Sequence, residues 1–259
     1  MPEHDLALLI QAARDAAPIA NSYWNTDQRV THKEDGAGPV SAGDIAVDTY
    51  LRETLTAARP GYGWLSEETE DDPARLAAER VFIVDPIDGT RAYVDGQTTW
   101  AHSLAVVERG ETTAAVVFLP QHDKLYAAGR GTGATLNGTP IRAGTAADPT
   151  GANVLASRPL FSAENWTGEV PAMKRHFRPS LAYRLCLVAE GRFDAMLTLR
   201  PTWDWDIAAG SLIVTEAGGR VTDAAGHPLR FNSASASSPG AIAAPAPLHA
   251  ALLARLAPR

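Results

Sequence analysis

At 259 residues, of which 45% are hydrophobic, the chain can bury a large core, as one big domain or as two closely packed halves. A formal charge of −7 argues against nonspecific binding to nucleic-acid polymers or anionic membranes, yet it allows an anionic substrate wherever a metal ion reverses the local sign. Cys186 is the only cysteine, so no intrachain disulfide forms and a reducing cytoplasm suits the chain.

Apolar residues at helical spacing (Leu6, Leu9, Ile10, Ala13, Ala17, Ala20) predict a helix over residues 5–24. No basic segment precedes an apolar stretch, and no apolar run reaches ~18 residues, so a soluble protein without a targeting signal is expected. Residues 31–40, with Lys33, Glu34, Asp35, Gly36 and Gly38, read as a polar loop, either a connector or a lid over a site. A second helix is expected from the cap-like residues Ser41 to Asp44 through Leu55, ended by Pro60-Gly61. A strand around Trp64-Leu65 then delivers Glu67-Glu68.

The segment Val81-Phe82-Ile83-Val84 predicts a short buried strand that stops in Asp85-Pro86-Ile87-Asp88-Gly89-Thr90. Two carboxylates in one such turn repel each other by several kcal/mol unless protons or a cation intervene, and oxygen ligands favour a hard ion such as Mg²⁺ or Ca²⁺. The N–H groups of Gly89 and Thr90 can face an anion if a helix starts there. Metal beside anion points to phosphate chemistry.

Residues 103–107, 113–119 and 124–127 continue as mostly antiparallel strands. The glycine-rich stretch 129–134 lacks the strand-then-helix context of a phosphate loop and reads as hairpin turns. The small, polar stretch 143–151 is the expected seam between halves. Beyond it, residues 154–156, 182–191, 195–199 and 206–217 alternate as an α/β unit, and 248–256 predict a closing helix. Cys186, set among Leu185, Leu187 and Val188, is expected to be a buried structural thiol.

A third acidic group, Trp203-Asp204-Trp205-Asp206, completes a pattern. Glu67-Glu68, then Asp85 through Thr90, then Trp205-Asp206 through Gly210 and Glu216-Ala217-Gly218-Gly219 resemble the inositol monophosphatase family of lithium-sensitive, metal-dependent phosphatases, in order and over nearly the whole length. The resemblance implies an α/β fold, a layered αβαβα sandwich of the inositol monophosphatase and fructose-1,6-bisphosphatase type. Its halves would be an α+β part over 1–143 with most metal ligands and an α/β part over 144–259 with Asp206 and the selectivity wall.

It also implies two or three Mg²⁺ ions: one on Glu67, Asp85 and the Ile87 carbonyl, a second on Asp85, Asp88 and Asp206, and a weaker third near Glu67. Gly89 and Thr90 would bind phosphate. Thr90, oriented by Asp44, would align the attacking water, a role carried to Asp44 by the match of residues 39–44 to the family's P-V-T-x-A-D. Glu68 is left as a supporting residue or a solvated neighbour, and Asp204 as a helix cap, an exposed acid or a residue with a direct role in the site.

For the substrate, Ser66 before the acidic pair and Arg91 after Gly89-Thr90 look more like bacterial 3′(2′),5′-bisphosphate nucleotidases, with Arg184, Arg158 and Lys174 as candidates to grip a second phosphate. The alternatives are an inositol-1-phosphate or histidinol-phosphate phosphatase and, from another class, a non-catalytic regulator keeping the fold. The partners expected are a small-molecule phosphate, no nucleic-acid polymer, no membrane, and a second copy of the chain in a homodimer.

Overall fold

The computed structural model describes residues 2–26, 28–32 and 39–258; the expected loop residues 33–38 lie outside them. The chain opens with helix α1 (Pro2–Tyr23), a short antiparallel pair of β1 (Thr31–His32) and β2 (Pro39–Val40), and helix α2 (Ala42–Ala58). Ser41 caps α2 in a capping box: its Oγ accepts from the Gly43 and Asp44 N–H groups, and its own N–H donates to the Asp44 carboxylate.

A seven-stranded sheet follows, in spatial order β3 (Gly63–Ser66), β4 (Arg80–Asp88), β5 (Ala101–Glu108), β6 (Glu111–Leu119), β7 (Lys124–Gly129), β8 (Gly133–Leu136) and β9 (Thr139–Pro140). Only β3 and β4 run parallel; the other neighbours are antiparallel, as the run of short strands predicts. Helix α3 (Thr90–Val94) interrupts the sheet connection directly after β4. Residues 129–134 form the expected hairpin, where the Glu216 carboxylate accepts from the Gly131 and Gly133 N–H groups at 2.8 and 2.9 Å.

The second sheet has the order β11 (Lys174–His176), β10 (Asn153–Ala156), β12 (Ala195–Thr198), β16 (Ala241–Ala244) and β14 (Arg220–Thr222). A small ribbon pairs β13 (Thr202–Trp203) with β15 (Ser237–Ser238). Helices α4 (Leu181–Ala189), α5 (Asp204–Glu216) and α6 (Ala246–Leu253) complete the chain. No helix among the described residues is long and apolar enough to cross a membrane.

Five layers result, and alternation along the strands explains them. Phe82 and Val84 face Leu9, Ala13, Leu51 and Leu55 of α1 and α2, whereas Val81 and Ile83 face Leu185, Ile207 and Ile213 of α4 and α5. Both faces of β4 are therefore buried, which is why it reads as an unbroken apolar run. Leu155, Met196 and Ala243 of the second sheet join the α4–α5 layer, and Val154, Leu197 and Ile242 pack instead on α6 through Leu248 and Leu252. The residues between β9 and β10 carry the chain from one sheet to the other, and α4 and α5 pack between the two sheets. Cys186 lies fully buried in that layer, where desolvation raises its thiol pKa, in keeping with a structural role.

The crossing of α4 and α5 is close. A Cβ on Gly210 would stand 2.6 Å from the Leu185 Cβ, an atom that cannot swing away. Gly210→Ala is expected to cost about 1–3 kcal/mol by overpacking and to lower Tm measurably. Gly61→Ala, with nothing within 4 Å of the added methyl, is the control whose Tm stays unchanged. Equal melting of the two variants would contradict the close crossing.

Candidate active site

Residues three apart on a regular strand point to opposite faces, so Asp85 and Asp88 would not meet on an unbroken β4. The β4–β5 register shifts between Asp85, opposite Ser103, and Asp88, opposite Ala101, which leaves one extra residue on β4. This bulge turns the strand end. Asp85, Asp88 and Asp206 then offer carboxylate oxygens that all lie within 4.8 Å of one another.

Each acid is fixed by a different element. The Ile87 N–H donates to Asp85 Oδ1 at 3.0 Å, closing the turn on itself. Asp88 Oδ2 accepts from Ser180 Oγ and from the Ala182 N–H, both at 2.6 Å, so the N-terminus of α4 clamps it. Asp206 sits in the first turn of α5. The Trp205 carbonyl in the same turn accepts from Ser103 Oγ at 2.9 Å, which ties α5 to β5. Behind the turn, His102 Nδ1 contacts the Pro86 carbonyl oxygen. Burial pushes His102 down to about 4, so the ring is neutral and donates.

Desolvation raises the pKa of all three acids, Asp88 to about 6, and for Asp85 and Asp206 neighbouring carboxylates raise it further. Glu67 is one of those neighbours and lines the same cleft. A buried cluster of oxygen donors that resists ionisation alone is a fit for a hard divalent cation.

Thr90 begins α3 directly after Gly89, whose φ of 99° is a left-handed conformation that favours glycine. Thr90 Oγ1 lies 3.1 Å from Asp44 Oδ1 and 3.2 Å from the Ile87 carbonyl; its single proton serves one at a time. Asp44 caps α2 with its Oδ2 and meets Thr90 with its Oδ1, so one carboxylate makes both contacts. Burial raises Asp44 to about 6.

The remaining expectations divide. The cleft, of about 1510 Å³, is lined by Glu67, Asp85, Asp88, Gly89, Thr90, Arg184 and Asp206. Arg158 and Lys174 are exposed and lie outside that lining. Glu68 faces another depression, shared with Asp48 and Asp71. Ser66, taken as a substrate signal, is turned away: its hydroxyl bonds Asp48 and pins β3 to α2. Asp204 is neither exposed nor in the cleft. It is fully buried and its Oδ2 accepts from the Asn232 N–H at 2.8 Å, which holds the loop beneath α5.

Residues that the sequence reading passed over also line the cleft, among them Lys124, Phe177, Arg178, Arg200 and Trp203. The S-x-x pattern of a helix cap could have drawn attention to Ser180; nothing in the sequence marks His102 or Arg200.

The sequence model of the inositol monophosphatase family matches residues 1–259. An inositol-1-monophosphatase of Rhizobium meliloti is 36% identical over 241 residues, covering 88% of this chain and 89% of that protein. The Nus factor SuhB of Salmonella typhimurium is 33% identical over 233 residues, covering 85% of each chain. Among solved structures, the Thermotoga maritima IMPase superposes with a TM-score of 0.81 at 27% identity, over 98% of this chain and 96% of that one.

The raised acids give a pH signature in the metal-free protein. Asp88 titrates near 3.8 in an unfolded chain and at about 6 in the fold, so the fold binds its proton more tightly. That contribution to stability is present below the unfolded value and is lost as pH rises through the folded one. Asp88→Asn cannot ionise, so without metal its Tm should gain on the wild type as pH is raised from about 4 to about 7. His102 and His249, both lowered to about 4, titrate in both proteins and cancel from the difference. A Tm difference independent of pH would remove Asp88 from the buried cluster.

Proposed function

The chain belongs to the inositol monophosphatase family, whose members are metal-dependent phosphatases of small-molecule phosphates, and from that premise we propose an Mg²⁺-dependent phosphomonoesterase acting on a nucleoside 3′,5′-bisphosphate. The observation that carries the metal half is the cluster of Asp85, Asp88 and Asp206 within 4.8 Å, with Glu67 beside it. Asp85, Asp88, Asp206, Glu67 and the Ile87 carbonyl would hold two or three Mg²⁺ ions. When bound, such ions neutralise phosphoryl charge and lower the pKa of a water. The N–H groups of Gly89 and Thr90 would receive the phosphoryl oxygens, and Thr90 Oγ1, with Asp44 as its acceptor, would orient the attacking water. No side chain need form a covalent bond to phosphorus.

The substrate half rests on the cations of the cleft. Arg184 donates through Nε to the Arg178 carbonyl at 2.5 Å and through Nη2 to the Pro179 carbonyl at 3.2 Å, which leaves Nη1 without an acceptor among the described residues. Burial, the largest cause, brings the Arg184 pKa down to about 10 against the opposing attraction of Asp88 and Asp206, and Arg200, which lines the same cleft, lowers it further. Two guanidinium groups that repel each other beside the carboxylate cluster suit a second anionic group on the leaving side. A neutral polyol gives them nothing comparable. An inositol-1-phosphate substrate is the second reading, favoured by the Rhizobium meliloti relative of that name.

Phosphate release with Mg²⁺ from adenosine 3′,5′-bisphosphate, inositol-1-phosphate, histidinol phosphate and fructose-1,6-bisphosphate tests both readings. The bisphosphorylated nucleotide is expected to have the highest kcat/KM, and turnover far faster on inositol-1-phosphate would replace the substrate half. Exhaustive chelation should abolish turnover, and Asp206→Asn should reduce it by orders of magnitude while the fold is kept. Activity that survives chelation would overturn the metal half.

A charge-assisted bond to the second phosphate is worth about 1.5–3 kcal/mol, or roughly ten- to a hundredfold in kcat/KM. Arg184→Ala and Arg200→Ala should each shrink the preference for the bisphosphate over the 3′-monophosphate by up to that factor. An unchanged ratio in both variants would take the guanidinium pair out of recognition.

A further inference from the structure

Five large hydrophobic side chains are exposed among the described residues, and the two aromatic ones, Phe177 and Trp203, both line the cleft. Phe177 has an evident use, since the Arg184 guanidinium lies over its ring at 4.4 Å and is held there. Trp203 has none within the carboxylate cluster or the guanidinium pair. It is 47% exposed, and one face of its indole stacks on Trp205, with centroids 5.0 Å apart and planes at 14°.

The stack is rigidly placed. Trp203 belongs to β13 and pairs with Ser237 of β15, while the Trp205 carbonyl is bonded to Ser103. Trp203 is three residues from Asp206, so their backbones are at most about 11 Å apart. A ribose joining a reacting phosphate to a base spans a comparable gap. A pre-ordered indole loses little conformational entropy when a flat ring covers it, and any base offers such a face. A polyol does not.

We propose that Trp203 is a stacking platform for the nucleobase of the substrate, with the base on the indole face turned away from Trp205. The inference rests on the nucleotide reading above and adds a specificity-determining residue to it.

The test compares wild type, Trp203→Ala and Trp203→Phe on three substrates with Mg²⁺: adenosine 3′,5′-bisphosphate, its abasic analogue 1-deoxyribose 3,5-bisphosphate, and inositol-1-phosphate. Stacking predicts that Trp203→Ala raises KM for the nucleotide roughly tenfold with little change in kcat, and narrows the nucleotide-to-abasic ratio of kcat/KM by the same factor. Trp203→Phe keeps a flat ring and should restore most of that ratio, which a merely structural role would not do. If wild type prefers the nucleotide but Trp203→Ala leaves the ratio unchanged, or lowers kcat alike on all three substrates, the platform is overturned and the substrate reading stands. If wild type cleaves inositol-1-phosphate in preference to the nucleotide, the substrate reading fails and the platform fails with it.

Discussion

Asp85, Asp88 and Asp206 converge within 4.8 Å, the first two buried and the third half-buried, and each ionised pair there repels by about 3–4 kcal/mol at an effective dielectric near 20. The surrounding structure must therefore hold the acids together before any cation does. It uses the β4 bulge for Asp85 and Asp88, the first turn of α5 for Asp206, and the α4 N-terminus, with Ser180, for Asp88. The α4 start donates the Ala182 N–H to Asp88, and Asp206 lies in the first turn of α5, so both carboxylates sit at positive helix-dipole ends that offset part of the repulsion.

Those helix starts can reach the end of β4 because α4 and α5 form the middle layer of five. Leu185, Ile207 and Ile213 are buried against both sheets, so neither helix can shift without disturbing two cores. The close approach at Gly210 keeps the two helices in register with each other. On the opposite side, α2 enters the site through Asp44, one carboxylate oxygen of which caps the helix while the other meets Thr90. Site geometry and layer packing are thus one arrangement, in which a displaced helix end would be felt at the carboxylates.

Outside the carboxylate cluster the cleft changes character. The protein carries a net charge of −7, yet Arg91, Lys124, Arg178, Arg184, Arg192 and Arg200 line this one concavity. Phe177 and Trp203 add flat apolar surface at its rim. Metal-assisted hydrolysis places similar demands on any phosphate monoester, so in the proposed function discrimination would fall to this outer wall. Cations with carbonyl partners and no direct carboxylate, as at Arg184, keep their charge available to a ligand.

The sequence by itself determined the features that depend on near neighbours. Ser41 and Asp44 spell a helix cap, the apolar run before Asp85 spells a strand buried on both faces, and residues 129–134 spell a hairpin, because each is settled by backbone chemistry within a few residues. The ordered acidic motifs also carried the layered fold and singled out the three acids that converge. Only the tertiary structure decided which way other side chains point. Ser66 turns to Asp48, Asp204 to Asn232, and Arg158 and Lys174 to solvent, whereas Arg200 and Trp203 enter the cleft and His102 supports Pro86 from behind. The physical reason is that orientation follows from which face of an element packs on another, and those partners lie tens of residues away in the chain.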